Sequence, residues 1–328
     1  MTTFRRAFIR RPTRVYRRRP RIRPLAVGAV VLLVIGVGAP VLRPLTDPDP
    51  APRAGPPATG RLLAAPAPTG ALDPARFEPG ACVALGPSVG DRHRTVVLDA
   101  GHGGPDPGAR GVTAEGRSVV EKDLALSVVL ATAELLRARG YRVALSRTTD
   151  SAVVRLTPDD LADGALSTTG NHAQLLARAR CANLAGADAL ISVHFNSVAD
   201  SDAGGSATLY DTDRSFADAN ARLATAVQRT IEGALTDTGH RVTDRGVRPD
   251  TDTGGGEQTP QGETYGHPVI LGPAAPGYVD EPSLVPGALV EPLFITNPAE
   301  ATLAASTPGQ QALARAVALG VEEFLQQP

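Results

Sequence analysis

The chain has 328 residues, 42 % of them hydrophobic, enough for one large domain or two small ones and too apolar for a collagen-like or wholly disordered chain. Aromatic residues make up 4 % and Trp is absent, which argues against an aromatic platform for single-stranded nucleic acid. A net charge of −1 conceals two opposed regions: residues 1–23 carry ten arginines and no acidic residue, leaving 23 basic against 34 acidic residues and a net −11 over 24–328. The acidic part speaks against a nucleic-acid partner.

Residues 1–23 read as a basic cytoplasmic tail. Pro24 to Leu42 is an uncharged run of 19 residues, close to the roughly 20 that span a bilayer core. It predicts a single-pass transmembrane signal anchor whose arginine-rich flank stays cytoplasmic. The alternative is a cleaved signal peptide and a secreted product, but Pro40 directly follows the small residues Gly36, Gly38 and Ala39 and hinders cutting. Residues 43–80 are dominated by Pro, Ala and Gly and predict an extended linker. The domain at 81–328 is then expected on the outer side of the cytoplasmic membrane. Cys82 and Cys181 there suit one disulfide, with two unpaired buried thiols as the other reading.

From residue 91 onward strand and helix alternate. Thr95–Asp99 predicts a buried strand ending in a glycine-rich turn, and 122–139 a helix closed by Gly140. Tyr141–Ser146 predicts a strand, 172–185 a helix, and Ala189–Val193 a strongly apolar strand. Strand Ala207–Tyr210, helix Phe216–Leu235, short strands Val269–Leu271 and Ala288–Val290, and helix Gln310–Leu325 complete the pattern. The expected fold is α/β: a single domain with a mostly parallel, twisted sheet and helices on both faces. Functional residues in such folds gather where strands end.

The candidates fall at those ends. His102 follows Asp99 in Asp-Ala-Gly-His-Gly-Gly, and Glu121 opens the first long helix. His194 follows the apolar strand in Ser-Val-His-Phe-Asn, and Glu291 ends another. Two imidazoles and a carboxylate supply three ligands for tetrahedral Zn²⁺ with one position left for water. A second carboxylate can carry a proton from that water to a leaving nitrogen. Each residue also has a plainer role available: a turn residue, a helix-dipole partner, a packed histidine, a loop charge.

These segments resemble the zinc-dependent N-acetylmuramoyl-L-alanine amidases, the cell-wall family with the "amidase 3" catalytic domain. The matching blocks are Val96–Ala109, Glu121–Leu124, Ser146–Asp150, Arg178 with Ala182-Asn183, Ile191–Ser197 and Leu289–Asn297, in the family's order. The resemblance implies His102, Glu121 and His194 as zinc ligands and Glu291 as the catalytic glutamate. The implied reaction hydrolyses the amide between the N-acetylmuramic acid lactyl group and L-alanine of peptidoglycan. Asp99 or Asn196 is expected to orient the ligands. Glu115 lies near His102 but outside the helix-opening context, and His93, His172, His240 and His267 match no family ligand.

The sequence departs from the family in a longer connection at 151–177 and in a Gly/Pro/acid-rich insertion at 248–286. The insertion reads either as a flap over the cleft or as a solvated surface loop. A catalytically inactive peptidoglycan-binding or regulatory relative is the main alternative function, and a zinc hydrolase of the same fold acting on another amide is a third. Glu291 favours the enzyme, because a binder has no need of a proton carrier. The expected partners are peptidoglycan and, through the anchor, the membrane.

Overall fold

The computed structural model describes residues 69–253, 257 and 259–327. The predicted tail, membrane anchor and residues 43–68 of the linker lie outside them. Strands β1 (Gly70–Ala71), β2 (Ala81–Leu85) and β3 (Thr95–Ala100) come first, then the hairpin β4 (Arg110–Val112) and β5 (Ser118–Val120), which leads straight into α1 (Glu121–Arg137). Next come β6 (Arg142–Arg147), a small hairpin β7 (Leu161–Ala162) and β8 (Ala165–Leu166), α2 (Thr168–Leu184) and β9 (Ala189–Val193). The remainder is β10 (Ser206–Tyr210), α3 (Ala217–Asp237), β11 (Asp244–Pro249), α4 (Pro260–Tyr265), β12 (Gly287–Glu291), α5 (Pro298–Ala305) and α6 (Thr307–Gln326). No helix among the described residues is long and apolar enough to cross a membrane.

Eight strands form one sheet in the order β1-β2-β6-β3-β9-β12-β10-β11. The four central strands, β6, β3, β9 and β12, run parallel. The direction reverses between β12 and β10, which pair antiparallel with Ala207 opposite Glu291. Strand β11 then runs parallel to β10.

Alternation along β3 sorts the side chains. Val96, Leu98 and Ala100 join the large core made with Leu124 of α1, Leu223 of α3 and Leu313 of α6. Val97 points to the opposite face, where Leu190 and Leu289 meet Ala182 of α2 together with Ile270 and Leu271. Asp99, two residues on from Val97, faces the same way. Three long helices therefore cover one face, while α2 and the 266–286 segment share the other.

Three sequence expectations change here. Residues 70–80, assigned to the linker, are part of the fold: β1 pairs with β2, and Phe77 is buried beside the Cys82–Cys181 disulfide. Val269–Leu271 is a turn, because the Pro268 carbonyl accepts from both Leu271 N and Gly272 N; its apolar side chains pack against the sheet without joining it. Helix α2 starts at Thr168, ahead of residue 172, because Ser167 accepts from Gly170 N and caps it.

Candidate active site

Three chain segments deliver the site. The turn after β3 carries His102 in a left-handed conformation, φ 59°, a cost that a side chain accepts where its direction matters. Strand β9 delivers His194, whose backbone N donates to Val290 O at 2.9 Å. The β4–β5 hairpin sets down Glu121 as the first residue of α1, a helix with no side-chain cap. Gly101 is required beside them: a Cβ there would lie 2.4–2.7 Å from three atoms of the His194 ring.

His102 Nε2 lies 2.9 Å from Glu121 Oε1 and 3.2 Å from His194 Nδ1, and His194 Nδ1 lies 3.1 Å from the same carboxylate oxygen. Tetrahedral zinc with bonds of roughly 2.0–2.1 Å separates its ligand atoms by about 3.3 Å, so this triangle fits a metal ion of that size. The donor chemistry fits as well, two imidazoles and one carboxylate. Glu121 is held for the task, with Oε2 accepting from Ala109 N at 2.8 Å and Oε1 from Phe195 N at 3.1 Å.

The electrostatics invite positive charge. Burial pulls the His102 imidazolium down, but hydrogen bonds and charge from Asp106 and Glu121 outweigh it and raise its pKa to about 9. Glu121 moves the other way: burial opposes ionisation, and the two imidazoles more than compensate. Asp106 Oδ2 lies 2.8 Å from His102 Nδ1, the ring nitrogen facing away from the triangle.

Glu291, at the end of β12, borders the same cleft of about 260 Å³, together with Asp106, Arg178, Val269 and Ile270. Its Oε2 is sealed from solvent and has no hydrogen-bond partner. Burial, then the Glu121 charge, push its carboxyl well above the usual range, against a smaller pull from His102.

Two buried arginines hold the His102 turn. Arg178 bonds Asp99 and donates to Ala100 O at 2.7 Å and His102 O at 2.6 Å. Arg147 donates to Ala100 O, Gly101 O and Lys122 O. Asp99 therefore serves Arg178 and Ser192, whose hydroxyl donates to it at 2.6 Å. Asn196 Oδ1 accepts from Ser197 N. The side chain on the outer nitrogen of His102 is that of Asp106, while Asp99 is engaged with Arg178 and Ser192.

The profile of the N-acetylmuramoyl-L-alanine amidase family matches residues 96–323. The chain belongs to that family. Among its relatives, the germination-specific N-acetylmuramoyl-L-alanine amidase of Bacillus subtilis (strain 168) is 26 % identical over 233 residues, 70 % of this chain and 79 % of that protein. The crystal structure of N-acetylmuramoyl-L-alanine amidase from Clostridium difficile 630 superimposes with a TM-score of 0.50 at 27 % identity, covering 71 % of this chain and 97 % of that one. The CwlD amidase from Clostridioides difficile, solved in complex with the GerS lipoprotein, shares the fold at TM-score 0.53 and 24 % identity, covering 71 % and 98 %.

In this family member Glu115 is exposed and accepts from Thr302 Oγ1, outside the His102–Glu121–His194 group. His93 and His240 are exposed, near Asp91 and Thr238. His172 lies 2.7 Å from buried Glu257 and stacks on Tyr278, so that it clasps the 248–286 insertion to α2. Pro268, Val269 and Ile270 of that insertion wall the cleft, and Ile270 and Leu271 are core residues. The 267–271 stretch of the insertion is packed against the sheet. Sequence reading missed Asp106, whose signal was its place four residues after His102 inside a matched block, and it passed over His267.

Proposed function

We propose that this chain is a zinc-dependent hydrolase, with His102, Glu121 and His194 as the metal ligands and Glu291 as the proton carrier. As a family member it cleaves peptidoglycan at the amide between the N-acetylmuramic acid lactyl group and L-alanine. The observation that carries the metal reading is the triangle of His102 Nε2, Glu121 Oε1 and His194 Nδ1 beside the unpartnered Glu291 Oε2.

His102, Glu121 and His194 would hold the zinc ion, which when bound would supply Lewis acidity to the scissile carbonyl and lower the pKa of water towards about 7. The Glu291 carboxylate takes the proton of the attacking water and returns it to the departing L-alanine nitrogen. Its buried, otherwise unbonded oxygen is suited to both halves of that exchange. Asp106 holds His102 through Nδ1, and Arg178 with Arg147 keeps the turn beneath it rigid. The wall formed by Pro268–Ile270 narrows the approach to the stem peptide.

The membrane anchor at 24–42, the linker leading from it and a catalytic unit outside the cytoplasmic membrane complete the proposal. The length and charge of the apolar run support it. Digestion of purified sacculi, with mass analysis for freed lactyl carboxyl groups and L-alanine amino termini, tests the reaction. Loss of these products with a chelator, and their return with Zn²⁺, is expected; undiminished cleavage in chelator overturns the metal assignment.

A further inference from the structure

A second convergence of ligand-type side chains lies at the other end of the sheet. Asp211 directly follows β10 and Asp250 directly follows β11, two parallel neighbours paired through Tyr210 and Pro249. Because β10 runs against β12, these carboxyl ends point away from the end where His194 and Glu291 sit. His267, from the 248–286 insertion, completes the group. All three are buried, and one ligand atom from each lies within 4.8 Å of the others.

His267 Nδ1 is 3.0 Å from Asp211 Oδ2 and 3.1 Å from Asp250 Oδ1. A single ring proton makes at most one strong hydrogen bond, yet it faces two buried carboxylates. Asp211 is wholly buried, its Oδ1 accepts from Asp213 N and Arg214 N, and its Oδ2, turned towards the ring, makes no hydrogen bond. A cation shared with the imidazole and Asp250 would satisfy that sealed Asp211 oxygen.

We propose that Asp211, Asp250 and His267 form a second divalent-cation site that pins the 248–286 insertion to the sheet. One imidazole nitrogen with carboxylate oxygens suits a first-row ion such as Zn²⁺ or Mn²⁺. The other ring nitrogen, Nε2, faces Asp213 Oδ2 at 3.7 Å, and Asp213 is 60 % exposed, which marks the solvent side and the route of entry. The residues after His267 are Pro268, Val269 and Ile270, the wall of the catalytic cleft. A cation here therefore braces the substrate-facing wall from behind, without touching the reacting atoms.

The test counts metal in the full chain. The protein is stripped with chelator, dialysed against Zn²⁺ alone and, separately, Mn²⁺ alone, and analysed by mass spectrometry of the elements. The native chain is expected to hold about two zinc equivalents, and Asp250→Asn, His267→Gln and the double variant His102→Ala/Glu121→Ala about one each. The Zn²⁺-dependent rise in the unfolding midpoint is expected to persist in His102→Ala/Glu121→Ala and to vanish when Asp250→Asn is added. A native chain holding one equivalent, lost entirely in His102→Ala/Glu121→Ala, overturns the second site. One equivalent that survives in that variant and is lost in Asp250→Asn upholds the second site and removes the catalytic assignment instead.

Discussion

Asp106 Oδ2 lies 2.8 Å from Nδ1 of His102, across the ring from the nitrogen that faces Glu121 and His194. The carboxylate fixes which nitrogen carries the proton and which offers its lone pair, and it holds the ring plane in place. Asp106 reaches this position only because the turn bends sharply, with Gly103 and Gly104 at positive φ and Gly103 and Asp106 bonded to each other through their backbones. Asp106→Asn is expected to weaken zinc affinity about 10–100-fold. Competition with a chromophoric chelator measures it.

Glu291→Gln keeps the size of the side chain and removes its proton-accepting charge. Turnover on peptidoglycan is expected to fall about 10²–10⁴-fold, with bound zinc unchanged by metal analysis. Full activity in this variant refutes the proton-carrier role.

Gly101→Ala places a methyl group inside the contact distance of the His194 ring. The ring must swing off the triangle, so bound metal and activity fall together while circular dichroism stays native. Metal content equal to the parent chain contradicts the geometry.

Asp99 carries a pH dependence. Burial opposes its charge, but Arg178 and the hydroxyls of Ser146 and Ser192 outweigh that and hold its pKa below the ordinary value. A depressed folded pKa means stability that is fully present above the unfolded value of about 3.9 and is lost as pH falls through the folded one. Urea midpoints of the native chain should drop below about pH 4. Asp99→Asn starts about 3–5 kcal/mol less stable, because Arg178 loses its buried partner, and shows a flatter decline with acid.

The disulfide between Cys82 and Cys181 spans a sequence separation of 99. A loop of that length suggests about 4–5 kcal/mol of stabilisation on the chain-entropy account. The Cys82→Ser/Cys181→Ser pair should lower the urea midpoint accordingly. Cys181 sits three residues beyond Arg178 on α2, so activity is expected to decline at lower denaturant than global unfolding requires.

Strands β3, β9 and β12 were legible because each is a short apolar run with a polar residue at its end, which brought His102, His194 and Glu291 forward together. Glu121 was separable from Glu115 only through the family's helix-opening pattern, since both are acids near His102. Asp106 was hidden because its role depends on a turn geometry that residue types do not specify. Val269–Leu271 misled because an apolar triplet covering a sheet has the same composition as one inside it. Asp211, Asp250 and His267 carry no local pattern at all: two strand ends and an insertion bring them together, and only the pairing of β10 with β11 aligns the first two.

The reversal between β12 and β10 gives one sheet two rims lined with ligand-type side chains. The Glu291 rim faces one way and the Asp211 rim the other, joined by a face that α2 leaves partly uncovered. The segment that supplies His267 at the far rim runs on into Pro268, Val269 and Ile270, which line the cleft at the near one. A single reversal of strand direction thus sends two sets of acid and imidazole groups to opposite borders of one sheet.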